Sequence, residues 1–244
     1  MTDVPESNRL LLPVTERIRD EIFRADRAWA VWKMTADFAQ QINADNFGDL
    51  FGSLQGALLD QFTLSLTKLY EAPNSRYPIL SIRTALEQLD QLASVLEIQD
   101  RPRLLRWVRS ATPAGQDLGV LGDSELTRML ASSLRMSLPS LDQAESCEIS
   151  RALEAHRTRR DKSVAHPEAV SAEQLPKTTW KASLSALATA KHVLNALGWS
   201  YLRIAYADDK GDYFLASDAE RAAYALRRLL RRAGIAPNRQ SPAA

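Results

Sequence analysis

Apolar residues recur every third or fourth position along nearly the whole chain, and the two-residue alternation of a half-buried strand is almost absent. After Pro13, the series Ile18, Ile22, Ala25, Trp29, Trp32 and Ala36 defines one long helix. A second, from Leu50 to Tyr70, places Leu54, Leu58, Phe62, Leu66 and Leu69 on one face, with Leu59 and Leu64 widening the stripe. So broad a face suits the centre of a bundle. The run Glu71-Ala72-Pro73-Asn74-Ser75 breaks that helix. A third carries Ile79, Ile82, Leu86, Leu89, Ala93 and Leu96 inward. A short helix near Arg103 to Arg109 follows Asp100 and Pro102. The segment Ala111 to Gly122, with three glycines and a proline, is a loop. Ser124 to Met136 is amphipathic and is closed by Pro139.

The later part of the chain predicts longer elements. Ser140 is expected to cap a helix reaching about Ala165. Ser171 and Gln174 have capping-box spacing and are expected to start a very long helix to about Ala207. Asp208-Asp209-Lys210-Gly211-Asp212 ends it as a surface turn. The ligand alternation of a calcium loop is missing there, and Ala219 stands where the bidentate glutamate would be. Ser217 and Glu220 predict another capping box and a last helix that stops at Gly234, with a frayed tail from Ala236. These elements give an all-α fold, an antiparallel helical bundle. Its expected division is a domain over 14–207 and a C-terminal basic helix and tail over 208–244, packed on or beside it.

Composition changes this picture little. Apolar residues are 45% and charged residues 25% of the 244, as in a soluble globular protein. The net charge of +1 advertises no polyanionic partner, so any attraction for one must come from a local patch. Cys147 is the only cysteine, which excludes an internal disulfide and a thiolate zinc cluster. There is no P-loop, no dinucleotide-binding glycine pattern and no HExxH, and no cofactor or metal is expected. The N-terminal residues do not resemble a signal peptide, and no run approaches the ~18 apolar residues of a membrane span. A cytoplasmic location without membrane association is therefore expected.

Chemistry concentrates in Arg160-Asp161-Lys162-Ser163-Val164-Ala165-His166. On a wheel of ~100° per residue, Ile149, Leu153, His156, Arg160 and Val164 share an arc of roughly 80°, the apolar side of their helix. Arg160 therefore points inward, where a guanidinium must be paired or face a cleft. Arg157, Arg159 and Lys162 lie outside the arc as solvated charges. In a continuous helix His166 would stand about 120° from Arg160. Pro167 pushes His166 out of the helical region, which frees the imidazole to swing back toward the guanidinium. Such a pair suits phosphodiester chemistry, with the histidine moving protons near neutral pH and the arginine holding a phosphate.

This segment resembles the signature of HEPN domains: an arginine, a polar residue and, a few residues on, a histidine. The form RDKxxAH at a helix end is similar to the AbiU2-like abortive-infection group. So is Leu64-Ser65-Leu66-Thr67-Lys68-Leu69-Tyr70 before its Pro-Asn break. The resemblance implies a helical bundle that dimerises and joins two motifs across the interface. It also implies a metal-independent endoribonuclease of the toxin or phage-defence kind, acting on RNA and open to restraint by an antitoxin protein. Arg160 would bind the scissile phosphate, His166 would transfer a proton as the 2′-hydroxyl attacks, and Asp161 would orient one of them. Some members of the family are catalytically silent and act by binding protein or RNA.

Plainer roles stand beside each of these. Arg160 and His166 also fit a salt-bridged arginine and a histidine favoured at a helix C-terminus. Asp161 could pair with a neighbouring cation. His156 reads as a satisfied core histidine, and His192 carries no signal. Arg159 and Lys162 could touch RNA, as could Arg227, Arg228 and Arg231, which with Arg221 and Arg232 make the last helix basic. A solvated face is the commoner origin of such a stripe. The five tryptophans sit at helix-face positions and read as core or interface, not as a base-stacking platform.

Overall fold

The computed structural model describes residues 4–73, 76, 79–109, 112, 117–139, 147–165, 175–208 and 212–236. The described residues form nine α-helices and no strand beyond one isolated bridge, Ala207 with Tyr213. After a 3-10 turn (Ser7–Leu11), α1 spans Leu12–Asp37, α2 Ala39–Ala44 and α3 Gly48–Tyr70. Then come α4 (Ile82–Leu92), α5 (Arg101–Arg109), α6 (Asp123–Ser137) and α7 (Glu148–Arg159). A π-helical turn, Arg160–Ala165, extends α7. Helix α8 (Trp180–Leu197) is extended by a second π-helical turn, Gly198–Leu202, and α9 is Ala216–Arg232. No helix among the described residues is long and apolar enough to cross a membrane.

The core has one main body, and α1 and α3 run through it. Ile18, Ile22, Phe62, Leu66 and Leu69 are sealed from solvent there, with Leu86, Leu130, Leu187 and Leu194 packed around them. The two helices are antiparallel neighbours: Glu21, early in α1, meets Lys68, late in α3, at 3.8 Å. Helix α9 runs the same way as α1. Tyr213, just before α9, lies beside Lys191, which itself pairs with Asp26 of α1. Leu230 and Ile235, at the far end, join Ile42, Phe38 and Phe51 in a separate small cluster.

Several expected boundaries move, each for a local reason. The expected cap Ser140 lies outside the described residues, and α7 begins at Glu148 after an extended Cys147 (φ −118°, ψ 120°). The expected box of Ser171 and Gln174 lies outside the described residues, and of the very long helix expected to about Ala207 α8 covers only Trp180–Leu197. Pro176 disfavours helix in the residue before it, and Thr179 is the cap that starts α8, its Oγ1 accepting the Ala182 N–H at 3.1 Å. At the other end, Arg203 enters the left-handed region at φ 55° and turns the chain back. Gly198 permits that return, since a Cβ there would stand 2.5 Å from the Ile204 carbonyl oxygen. The Ser217–Glu220 box does not form. Leu215 is the N-cap of α9 without a side-chain cap, and Ser217 Oγ donates back to the Phe214 carbonyl. In α3 the stripe is buried only in its second half: Leu54 and Leu58 are half-covered and Leu50 is exposed. The short helix α2 had no forecast.

Asn8 ties three distant parts together. It is fully buried. Its Nδ2 donates to the Glu97 and Tyr201 carbonyls at 2.7 and 2.8 Å, and its Oδ1 accepts the Glu97 N–H at 2.9 Å. Asn8→Ala leaves buried backbone groups without partners. A loss of about 2–4 kcal/mol is expected, read as a lower urea midpoint with an unchanged slope.

Candidate functional site

Helix α7 is set against its neighbours by His156. The ring is buried, with Thr63 Oγ1 of α3 3.0 Å from Nδ1 and Ser183 Oγ of α8 2.8 Å from Nε2. Ser183 Oγ spends its hydrogen on the Thr179 carbonyl at 3.1 Å. It must therefore accept from Nε2–H, which leaves Nδ1 to accept from Thr63. Both nitrogens are satisfied in the neutral ring. Burial, aided by the nearby charge of Arg159, pushes the His156 pKa down from 6.5 to about 4.

One turn beyond His156 the α-helix gives way to the π-helical turn. Such turns widen the hydrogen-bond spacing and occur often at functional sites. Arg160 opens it, and its side chain, 20% exposed, bridges two carboxylates. Nε donates to Asp161 Oδ1 at 2.8 Å and Nη1 to Glu71 Oε1 at 3.2 Å. Burial works against the guanidinium charge. The hydrogen bond and charge of Asp161, with those of Glu71, outweigh it and hold the pKa above its ordinary value. Glu71 is the residue at which α3 ends, its backbone extended at ψ 138°.

Arg160 stands at the rim of a cleft of about 280 Å³ between the ends of α3 and α7. Arg83 and Arg157 line it as well, with Glu71 the one acidic residue among its described lining. Thr67, Tyr70 and Leu153 form the floor, where the Tyr70 hydroxyl is turned away to donate to the Ala186 carbonyl. The cleft thus gathers three guanidinium groups, with Glu71 in its lining and Asp161 on Arg160 Nε as the carboxylates, a setting suited to an anion.

The sequence-predicted residues divide. Arg160 and Asp161 are in contact at this cleft. His166 and Pro167 lie outside the described residues. Arg159 points to the other side of α7 and pairs with Asp60 of α3 at 3.1 Å, so it is no simple solvated charge. Lys162 is exposed on the π-helical turn. Arg227 and Arg228 are exposed and Arg231 half-buried on α9. That end of α9 meets Phe51 at the start of α3, whereas Arg160 meets Glu71 at its end. At 1.5 Å per residue, this puts about 30 Å between the stripe and the cleft within one chain. His156 is the core histidine its position suggested. Three tryptophans, Trp29, Trp32 and Trp180, gather with ring centroids 4.4–5.7 Å apart, and the edge of Trp180 meets Phe62. Sequence reasoning missed Glu71, Arg83 and Arg157. Glu71 carried only a helix-breaking signal, and nothing local announces a partner this distant along the chain.

The family model of AbiU2, a HEPN family, matches residues 11–222, which takes in α1 to α8 and the first turns of α9. No curated protein and no solved structure matches the chain.

The neutral, depressed state of His156 has a measurable consequence. Between pH 6.5 and about 4 the unfolded chain takes up a proton that the folded chain refuses. Stability is full above this window and falls as pH drops through it, by about 3 kcal/mol at its foot. His156→Gln is expected to flatten that part of the stability curve in urea melts at stepped pH. An equal slope in the variant would remove His156 as the cause.

Proposed function

The chain belongs to the AbiU2 family of HEPN proteins, and on that premise we propose that it is a metal-independent endoribonuclease of the abortive-infection kind. The observation that carries this reading is the cleft at the end of α7. Arg160 stands there with Arg83 and Arg157, held by carboxylates yet open to solvent on one side. Such a cleft suits a phosphodiester: bidentate guanidinium contacts hold the phosphate and offset the charge that grows on its oxygens.

In this mechanism His166 removes the proton of the 2′-hydroxyl as its oxygen attacks phosphorus. The bond to the 5′ oxygen breaks, a proton passes to that leaving oxygen, and a cyclic phosphate remains on the upstream fragment. Asp161 acts as a positioning residue, since a carboxylate on Nε fixes the guanidinium plane and leaves Nη2 for the phosphate. Glu71 is the counter-ion that RNA displaces. The working unit is a homodimer with two Arg160–His166 pairs facing one groove, and a cognate antitoxin protein restrains it. The α9 arginines are too far from the cleft of their own chain, so any RNA they hold belongs to a flanking stretch or to the partner copy's site.

A second reading is favoured by the same two ion pairs, which also suit an arginine that only fastens α7 to α3. The protein is then a silent helical module that acts by binding protein or RNA. Incubation with total RNA in a chelator separates the two. Arg160→Ala and His166→Ala are expected to lose cleavage by at least about 100-fold, with the melting temperature of each held within about 2 °C. An uncleaved substrate with wild type and a lowered melting temperature for Arg160→Ala would favour the silent module.

Glu71→Gln gives an independent check of the cleft. A partly exposed ion pair contributes up to about 1 kcal/mol, so releasing Nη1 is expected to lower KM or the RNA Kd by about fivefold. Cleavage abolished by this substitution would instead make Glu71 part of the proton transfer.

A further inference from the structure

A second, larger cleft lies on the other side of α8. Ser183, which holds His156, and His192 are about two and a half turns apart and so on opposite faces of the helix. The cleft measures about 470 Å³, within the range of small-molecule sites, and lies between α5, α8 and the π-helical turn that follows α8.

Its chemistry is specific. Trp107 meets His192 edge to face, with centroids 4.1 Å apart. Arg103 spreads over Trp199, its guanidinium carbon 3.2 Å from the ring centroid, which makes a flat cationic surface of the kind on which bases stack. Arg106 is exposed and has no ion-pair partner among the described residues. Lys191 is engaged with Asp26 at 2.7 Å, so Arg106 is the cation most available to a ligand.

Asn195 supplies the element that aromatic packing alone would not require. It is 8% exposed and lines the cleft. Its Oδ1 accepts the backbone N–H groups of Tyr206 and Ala207 at 3.2 and 3.0 Å. These two bonds fix the amide orientation, and the group left over is Nδ2, a donor with no hydrogen bond among the described residues. An amide donor kept in a fixed orientation at the wall of a cleft is placed to meet an acceptor.

We propose that the α5–α8 cleft binds a nucleoside phosphate. The base stacks on the Arg103–Trp199 surface beside Trp107, with an acceptor on its edge meeting Asn195 Nδ2, while the phosphate is held by Arg106. The ligand is either a free mononucleotide or one unpaired nucleotide of a strand. This site is separate from the Arg160 cleft and does not depend on ribonuclease activity.

Isothermal titration with the full chain tests it, using the four nucleoside monophosphates, inorganic phosphate, and a short 2′-O-methyl oligonucleotide that cannot be cleaved through its 2′ oxygen. Two variants probe the site. Arg106→Glu reverses the available charge. Asn195→Asp keeps an acceptor for the Tyr206 and Ala207 N–H groups and replaces the donor. Arg151→Glu, an exposed position on α7, controls for net charge. Nucleotide or oligonucleotide binding that weakens at least about tenfold in Arg106→Glu and Asn195→Asp, but not in Arg151→Glu, supports the site. Binding of mononucleotides assigns a free ligand, and binding of the oligonucleotide alone assigns a strand. The proposal is overturned by no binding of either, by equal affinity in wild type and Arg106→Glu, or by phosphate binding as tightly as the nucleotides.

Discussion

The hydroxyl–imidazole–hydroxyl chain Thr63–His156–Ser183 is the interaction on which the candidate site depends. It joins α3, α7 and α8 at one buried point and uses both ring nitrogens. A buried polar chain of this kind has few satisfied alternatives, so it selects one register and one rotation of α7. With α7 fixed there, the next turn must deliver Arg160 to Glu71 and Arg159 to Asp60, on two sides of the same helix. Apolar contact alone would tolerate a small rotation of α7, whereas three directional groups in line do not.

The site itself is a balance of charge in a half-buried place. Arg160 loses hydration by lying at the rim of the cleft, and two carboxylates offset that loss. The arrangement keeps the guanidinium charged, oriented and exchangeable, since neither carboxylate is deeply buried: the side chains of Glu71 and Asp161 are 35% and 49% exposed. A fully buried pair would be too costly to open for a ligand. Glu21 shows the contrast. It is 1% exposed and faces Arg17, Arg24 and Lys68, an anchor between α1 and α3.

The helix ends matter as much as the helices. Both π-helical turns stand where a helix hands the chain to a cleft. Arg160–Ala165 opens with Arg160 at the first cleft, and Gly198–Leu202 brings Trp199 to the wall of the second. The shift from four- to five-residue hydrogen-bond spacing redirects side chains that a regular helix would leave on another face. The wheel argument from sequence therefore holds as far as Arg160, at the α7 C-cap, and loses its angular meaning beyond it.

The sequence by itself determined the helical class, the order of the main helices, the inward position of Arg160 and the resemblance to a family whose model matches residues 11–222. Each of these is local: a three-to-four repeat, a proline, a run of seven residues. Capping residues were less decisive. Ser217 had suitable spacing, but the docking of Leu215 governed the start of α9, whereas Ser140 and Ser171 lie outside the described residues. Only the tertiary structure decided what Arg160 touches, because Glu71 is distant in the chain and its position follows from where α3 stops. The same holds for the cleft arginines Arg83 and Arg157, for the Trp107–Asn195–Trp199 wall, and for the distance between the α9 stripe and the motif. Periodicity tells which side of a helix is inward. Which partner waits there depends on packing between segments far apart in the chain, and no local pattern carries that information.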